Sequence, residues 1–194
     1  MSNPDIPPDV RVGSSTYGLA PVSVAERSLA AGVWQWAGLA AVALAAALGD
    51  QVTKHVVSSE LGLDRSVQII GPISLHHVQN SGIAFGFFSG ATSVVTLVTG
   101  VAVVWMAIFF ARSGSRHPML PAALGLLLGG SVSNLVDRIR LGHVTDFIDV
   151  SHWPAFNLAD TFIVFGVGLL LLALVAADRE PRLAPRHIDV AARP

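Results

Sequence analysis

Four long stretches with very few charged residues limit what this chain can fold into more than any other feature of its sequence. They cover residues 33–57, 92–111, 117–136 and roughly 155–177. Each is close to the ~20 residues that an α-helix needs to cross ~30 Å of hydrocarbon at ~1.5 Å per residue. Only 13% of the 194 residues are charged and the mean hydropathy is +0.61, far from the values of an ordinary soluble domain. The sequence therefore predicts a polytopic membrane protein with four transmembrane helices.

The distribution of basic residues predicts how these helices are oriented. Four spans put both termini and the loop 112–116 on one side of the membrane, and that side carries eight of the 12 Lys and Arg residues. The opposite side carries Lys54, Arg65, Arg138 and Arg140. Because cytoplasmic segments are enriched in Lys and Arg, we expect both termini to be cytoplasmic.

Composition divides the chain into three parts. Residues 1–31 are rich in proline, lack sustained periodicity and predict a flexible cytoplasmic tail. They do not resemble a cleavable signal peptide, because Asp5 and Asp9 interrupt the segment. Residues 32–178 contain the four predicted spans. Residues 179–194 predict a disordered basic tail on the cytoplasmic side, near anionic headgroups.

The predicted outer connection between the first two helices, residues 58–91, is longer than a hairpin requires. Val67, Ile69, Ile73 and Leu75 alternate partially with polar residues, which indicates short strands on the membrane surface. The predicted fold class is therefore an all-α membrane protein, in which four transmembrane helices are accompanied by a small extracytoplasmic β element between helices 1 and 2.

The polar residues of the apolar part are not scattered but fall near the predicted outer ends of the helices. Polar groups in or beside a membrane span are energetically expensive, so they are candidates for function. They are Asp50 and Lys54 at the end of helix 1, Asn80 and Ser81 before helix 2, Asn134, Asp137 and Arg138 at the end of helix 3, Asp146 in the following loop, and Asn157 and Asp160 at the start of helix 4. One polar site assembled from several helix ends is the simplest interpretation.

Asp146 and Asp160 are the first candidates for catalysis. Two carboxylates brought close together cannot both ionise easily, and they therefore share one proton. One can act as a base toward water while the other acts as an acid toward a carbonyl oxygen, which is aspartyl-protease chemistry. The alternative is that Asp160 only caps helix 4 and Asp146 is a solvated loop charge. Their common face and the amides around them favour the first interpretation.

The other polar residues allow two interpretations each. Arg138, an i,i+4 neighbour of Asn134, can bind a backbone carbonyl or a lipid phosphate through its guanidinium group, or it can anchor the helix at the interface within an ion pair with Asp137. Asp50 and Lys54 are also i,i+4 neighbours and predict a structural ion pair.

The segment Asn80-Ser81-Gly82 offers an amide and an open backbone to an extended peptide. The alternative for this segment is a turn beside a surface strand.

Several chemistries fit the sequence poorly. There is no cysteine, no His-Glu-x-x-His pattern for zinc and no Gly-x-Ser-x-Gly nucleophile elbow. The adjacent His76 and His77 would diverge on a strand, and a Ser/Lys dyad would need Lys54, which we expect to be engaged in an ion pair with Asp50. The net charge of −1 argues against binding of nucleic acid. We therefore expect neither a metal ion nor an organic cofactor.

Two other classes of function remain. Carboxylates within a membrane also mark ion and proton transporters, but the middles of helices 2 and 4 are apolar, which disfavours a pathway across the membrane. In a non-catalytic assembly or anchor protein, the polar blocks would be ion-paired packing.

Five ordered motifs resemble the bacterial lipoprotein signal peptidase family, also called signal peptidase II. They are Asp50-Gln51-Val52-Thr53-Lys54, Asn80-Ser81-Gly82-Ile83-Ala84-Phe85-Gly86, Gly129-Gly130-Ser131-Val132-Ser133-Asn134-Leu135-Val136-Asp137-Arg138, Gly142-His143-Val144-Thr145-Asp146-Phe147 and Phe156-Asn157-Leu158-Ala159-Asp160. The resemblance covers roughly residues 38–177 and omits both tails.

The resemblance implies a bacterial cell-membrane endopeptidase that removes the signal peptide from diacylglyceryl-modified prolipoproteins, just before the lipid-bearing cysteine, at the extracytoplasmic face. It implies that Asp146 and Asp160 form the catalytic dyad. By the same matching, Asn80, Asn134, Arg138 and Asn157 position the substrate backbone, and Asp50, Lys54 and Asp137 support the site. Residues 58–88 would form the family's surface β-cradle. The expected partners are lipid-modified prolipoproteins and membrane lipids, and we expect a monomer.

Overall fold

The computed structural model describes residues 30–82 and 92–178. The predicted tails, apart from Ala30 and Ala31, lie outside the described residues, as do residues 83–88 of the predicted β-cradle.

Within the described residues, four long helices form the membrane-spanning part of the protein. They are α1 (Val33–Glu60), α2 (Thr92–Ser113), α3 (Leu120–Leu141) and α4 (Leu158–Asp178). All four are long and apolar enough to cross a membrane, which confirms the predicted multi-pass architecture.

Helix α3 extends further than its apolar run predicted. It continues past Asp137 and Arg138 to Leu141 and ends at Gly142, whose φ of 79° is a left-handed conformation that favours glycine. The two charged residues therefore lie on the last turns of a regular helix, where α1 and the sheet can reach them.

Glycines on α3 let the neighbouring helices approach closely. A Cβ atom at Gly129 would lie 2.5 Å from the carbonyl oxygen of Ala43 on α1. A Cβ atom at Gly130 would lie 2.5 Å from the carbonyl oxygen of Ala159, in the first turn of α4. Because small residues allow helix backbones to pack tightly in a membrane, α3 serves as the central helix, with α1 and α4 on either side.

The strands in the part of the chain that the structure describes form one antiparallel sheet of four, in the order β1-β2-β3-β4. Strands β1 (Ser66–Ile70) and β2 (Ile73–Asn80) lie between α1 and α2 as predicted, whereas β3 (Val144–Val150) and β4 (Trp153–Phe156) connect α3 to α4. The sequence-based prediction of the β element was therefore incomplete.

The prediction that Asp146 lies in a loop was wrong, because Asp146 is in the middle part of β3. The first four residues of β3, from Val144 to Phe147, are all buried. A strand covered on both faces lacks the alternation of apolar and polar residues by which short strands are recognised.

Candidate active site

The start of α4 is fixed by a reciprocal pair of hydrogen bonds that includes Asp160. Asn157 precedes the helix, and its Oδ1 accepts a hydrogen bond from the backbone N–H of Asp160 at 3.0 Å. The backbone N–H of Asn157 donates in return to Oδ2 of Asp160 at 3.2 Å. This is the geometry of a capping box, and it satisfies donors that a helix start otherwise leaves free. Asp160 therefore caps α4, as the alternative interpretation held, and its carboxylate is held in place by that role.

Asp146 is buried in β3 and is held by two side-chain amides. Nδ2 of Asn80 donates to its Oδ2 at 2.8 Å, and Nδ2 of Asn157 donates to its Oδ1 at 2.7 Å. Burial raises the pKa of Asp146 from 3.8 to about 6, and the charge of Asp160 acts in the same direction. The hydrogen bonds from the two asparagines oppose this rise in pKa.

Asn134 connects the second carboxylate to α1. Its Nδ2 donates to Oδ1 of Asp160 at 2.9 Å, while its Oδ1 accepts from Nζ of Lys54 at 2.8 Å and from Nδ2 of Asn157 at 3.2 Å. Because a lysine ammonium only donates, it fixes the orientation of the Asn134 amide and directs the amide N–H toward Asp160.

Each oxygen of the two aspartates thus accepts one N–H from the protein. Asp146 accepts from two side-chain amides, and Asp160 accepts from one side-chain amide and one backbone N–H. A carboxylate has about four acceptor positions, so each keeps free positions for a water molecule or a substrate oxygen. Such hydrogen bonding holds both side chains in one geometry before any substrate binds.

Asp50, Lys54 and Asp137 form a buried ionic cluster behind the two aspartates. Nζ of Lys54 lies 2.6 Å from Asp50 and 2.8 Å from Asp137. Oδ1 of Asp50 accepts from the backbone N–H of Ala159 at 2.9 Å, so it stabilises the positive end of the α4 dipole. The predicted ion pair of Asp50 with Lys54 is confirmed.

The ion-pair partner of Asp137 differs from the one considered from the sequence. Asp137 binds Lys54 on α1 and not its neighbour Arg138, because adjacent residues on a helix do not face each other. Two residues of this cluster were missed as contributors. Gln51 donates to Asp137 at 2.7 Å, and Ser133 donates to Asp50 at 2.7 Å. Both are polar residues inside apolar spans, which is the signal that could have identified them.

Arg138 and Gly82 contact each other at the edge of the site. Nη2 of Arg138 donates to the carbonyl oxygen of Gly82 at 3.1 Å, and the N–H of Gly82 donates to Oδ1 of Asn80 at 3.0 Å. The Nε of Arg138 is buried and has no hydrogen-bond partner among the described residues. Arg138 thus binds a backbone carbonyl, one of the roles considered for it, but the carbonyl belongs to this chain.

The two aspartates line a single cavity of about 500 Å³. Asn80, Gly82, Asn134 and Arg138 also line it, whereas Asn157 acts on it through its hydrogen bonds to Asp146, Asn134 and Asp160. Its remaining walls are largely apolar and come from Val144 of β3, from β4 and from the first turns of α4 as far as Phe165. Within residues 30–82 and 92–178, no three His, Cys, Asp or Glu side chains are grouped so that they could hold a metal ion.

Four membrane-spanning helices, with the buried Asp146 and the half-buried Asp160 lining one shared cavity, fit the class of membrane-embedded peptidases. A family model described as signal peptidase (SPase) II matches residues 42–176. The chain therefore belongs to the signal peptidase II family, and the predicted resemblance is confirmed.

Individual relatives agree with this assignment. The chain is 40% identical over 145 residues to the lipoprotein signal peptidase of Symbiobacterium thermophilum, covering 72% of this chain and 95% of the relative. It is 39% identical over 148 residues to that of Geobacter sulfurreducens, covering 72% and 92%. Among solved structures, a bacterial membrane enzyme determined by the in meso method at 2.3 Å resolution matches with a TM-score of 0.69 and 27% identity, over 74% of this chain and 90% of the other.

Proposed function

We propose that this protein is an aspartyl endopeptidase that removes the signal peptide from diacylglyceryl-modified prolipoproteins by cleaving before the lipid-modified cysteine. The observation that carries the proposal is the pair Asp146 and Asp160, each held by two N–H donors and both exposed to one cavity. Membership of the signal peptidase II family supports the choice of substrate.

In the proposed reaction, the two aspartates share one proton. The ionised carboxylate removes a proton from a water molecule, and the resulting hydroxide attacks the scissile carbonyl carbon. The protonated carboxyl gives its proton to the carbonyl oxygen, so that a neutral tetrahedral intermediate forms. Collapse of the intermediate breaks the C–N bond as a proton moves to the leaving nitrogen. Burial raises the pKa of Asp146 to about 6, so this carboxyl group holds a proton at a higher pH than an ordinary aspartate does.

The shape of the cavity supports a substrate that arrives from the lipid. Its apolar wall continues along α4 through Ile163, Val164 and Phe165, and the last two side chains are exposed on the protein surface. An apolar signal helix can lie against this wall while its extended end reaches the aspartates. Asn80, Gly82, Asn134 and Arg138 line the cavity and are the proposed substrate-binding residues, with Asn157 holding the carboxylates in place. The buried Nε–H of Arg138 is a donor that a substrate carbonyl can use.

We further propose that the protein acts as a monomer in the cell membrane, with cytoplasmic termini and an extracytoplasmic active site. All of the residues proposed for the site come from one chain. The excess of Lys and Arg on the side of the termini supports the orientation.

The proposal is tested with purified protein in phospholipid vesicles and two forms of one precursor, with and without the diacylglyceryl group. We expect cleavage of the lipidated precursor alone, and mass spectrometry should find the lipid-modified cysteine at the new N-terminus. Proton flux measured in the same vesicles should match that of empty vesicles. Failure to cleave the lipidated precursor, or cleavage at another bond, would overturn the proposal, and proton flux without cleavage would favour a transporter.

A further inference from the structure

Strand β2 contains a β-bulge at His76 and His77. Leu75 pairs with Ile148 of β3, and the next matched pair is Val78 with Asp146. The chain therefore advances three residues on β2 but only two on β3, so that one residue of β2 has no counterpart.

The bulge decides which side chains of β2 face Asp146. Before the bulge, the odd-numbered Ile73 and Leu75 share a sheet face with Asp146; after it, the even-numbered Val78 and Asn80 do. Since side chains alternate along a strand, a continuous strand would place Gln79 opposite Val144 and Asn80 on the far face. Instead, Asn80 pairs with Val144 and donates to the carboxylate of Asp146 at 2.8 Å.

His77 attaches this bulge to the end of α1. Its ring Nδ1 lies 2.8 Å from the carbonyl oxygen of Leu61, the residue that follows α1. Because a carbonyl oxygen only accepts, Nδ1 is the donor in this bond. The backbone N–H of His77 donates to the carbonyl of Arg65 at 3.1 Å, and its carbonyl accepts from the N–H of Asp64 at 2.9 Å.

The neighbouring His76 has no such attachment to α1. Its ring lies 3.5 Å from the carboxylate of Asp149 across the sheet, and His76 is half-buried, whereas His77 is buried. The two histidines therefore form a matched pair for substitution, with only one of them bound to the connection that follows α1.

We propose that His77 is a positioning residue for the reaction. Its bonds to residues 61–65 hold the β2 bulge, and the bulge keeps Asn80 on the face of the sheet where it binds Asp146. The proposed peptidase function underlies the kinetic part of this inference, whereas the strand register is independent of that function.

The kinetic test compares His77→Leu, His77→Gln and the control His76→Leu. Loss of one hydrogen bond that selects the register should lower kcat by about fivefold to tenfold in His77→Leu, with little change in KM. His77→Gln keeps an N–H donor and should retain more activity than His77→Leu, and His76→Leu should resemble the wild type.

The pH profile separates positioning from a general loss of folded protein. The Asn80 hydrogen bond lowers the pKa of Asp146, whose neighbouring charges are Asp160, Lys54 and Arg138. Losing that bond in His77→Leu should move the apparent pKa of the profile upward, and Asn80→Ala should do the same. The double variant His77→Leu with Asn80→Ala should show no shift of this apparent pKa beyond that of Asn80→Ala alone. An unshifted profile in His77→Leu would contradict the inference.

A suppressor tests the slip of register directly. If β2 slips by one residue in His77→Leu, position 79 replaces position 80 opposite Val144. Adding Gln79→Asn should then restore part of the lost activity, while the same substitution in the wild type should have little effect because Gln79 is exposed. If adding Gln79→Asn restores no activity to His77→Leu, the expected one-residue slip of β2 is contradicted.

Disulfide cross-linking measures the same register without any catalysis. The chain has no cysteine, and Gln79 pairs directly with Thr145 on the sheet face away from Asp146. The pair Gln79→Cys and Thr145→Cys should cross-link efficiently, and adding His77→Leu should reduce the yield by a larger factor than adding His76→Leu does. Equal yields in both backgrounds would overturn the inference. Failure of the wild type to cleave any precursor would instead overturn the proposed function.

Discussion

Replacing Lys54 with methionine should destabilise the protein and separately impair catalysis. Lys54 is 4% exposed, and its Nζ lies within 2.8 Å of Asp50, Asp137 and Asn134. Its removal leaves two buried carboxylates without a cation, and breaking a buried ion pair in this way costs about 3–5 kcal/mol. Asp50 keeps donors from Ser133 and from the backbone of α4, so we expect a loss near 3 kcal/mol.

For a chain of this size, that loss corresponds to a fall in Tm of roughly 6–12 °C. Tryptophan fluorescence during thermal unfolding in detergent measures it. The matched variant Lys54→Met with Asp137→Asn removes one negative charge from the cluster and should recover at least half of the lost Tm. A single variant that melts with the wild type, or a double variant that melts below the single one, would refute this reasoning.

Catalysis should respond differently from stability. Without Lys54, the amide oxygen of Asn134 loses the donor that fixes its orientation, and the N–H directed at Asp160 is less well held. We expect at least about a tenfold loss of kcat, typical of a catalytic group that is mispositioned. The double variant should not recover it, because the Asn134 contact is still missing. Full recovery of kcat together with Tm would contradict a role of Lys54 in orienting the site.

Two further outcomes follow from the packing of the helices and from the ionisation of the site. Gly130→Ala should lower the free energy of unfolding by about 1–3 kcal/mol, because the added Cβ would lie 2.5 Å from a carbonyl oxygen of α4. The control Gly168→Ala places its Cβ in open space and should be neutral or stabilising. Thermal unfolding of the two variants checks this difference. The Tm of Asp146→Asn minus that of the wild type should be more positive at pH 7–8 than near pH 3. The pKa of Asp146 is about 6 in the folded protein and 3.8 ordinarily, so the unfolded chain ionises first and wild-type stability falls as the pH rises between these values. Equal Tm differences at both pH values would contradict this expectation.

The helices and most of the site could be predicted from the sequence, for one physical reason. Hydrocarbon excludes charge, so uncharged runs indicate helices, and the few polar residues that remain beside those runs indicate a site. Asp146, Asp160 and the asparagines around them were identified in this way, and the structure brings them into one network.

The sheet and the pairing inside the site could not be predicted from the sequence. Strand β3 is buried on both faces over its first four residues and strand β4 has only four residues, so neither carries an alternating pattern that could be recognised. The partner of Asp137 is on another helix, 83 residues earlier in the chain, and sequence proximity favoured Arg138 instead. The bulge at His77 depends on contacts with the end of α1, which no local pattern in β2 specifies.

The central claim is that Asp146 and Asp160 together perform the hydrolysis, and single-turnover cleavage of a lipidated precursor tests it most directly. Asp146→Asn and Asp160→Asn keep the size of the side chains and should each lower the rate by at least about 10³-fold, within the range for loss of a general acid or base. Asp149→Asn makes the same change three residues further along β3, outside the cavity, and should cleave at the wild-type rate. Cleavage by either dyad variant at a rate close to that of the wild type would contradict the claim.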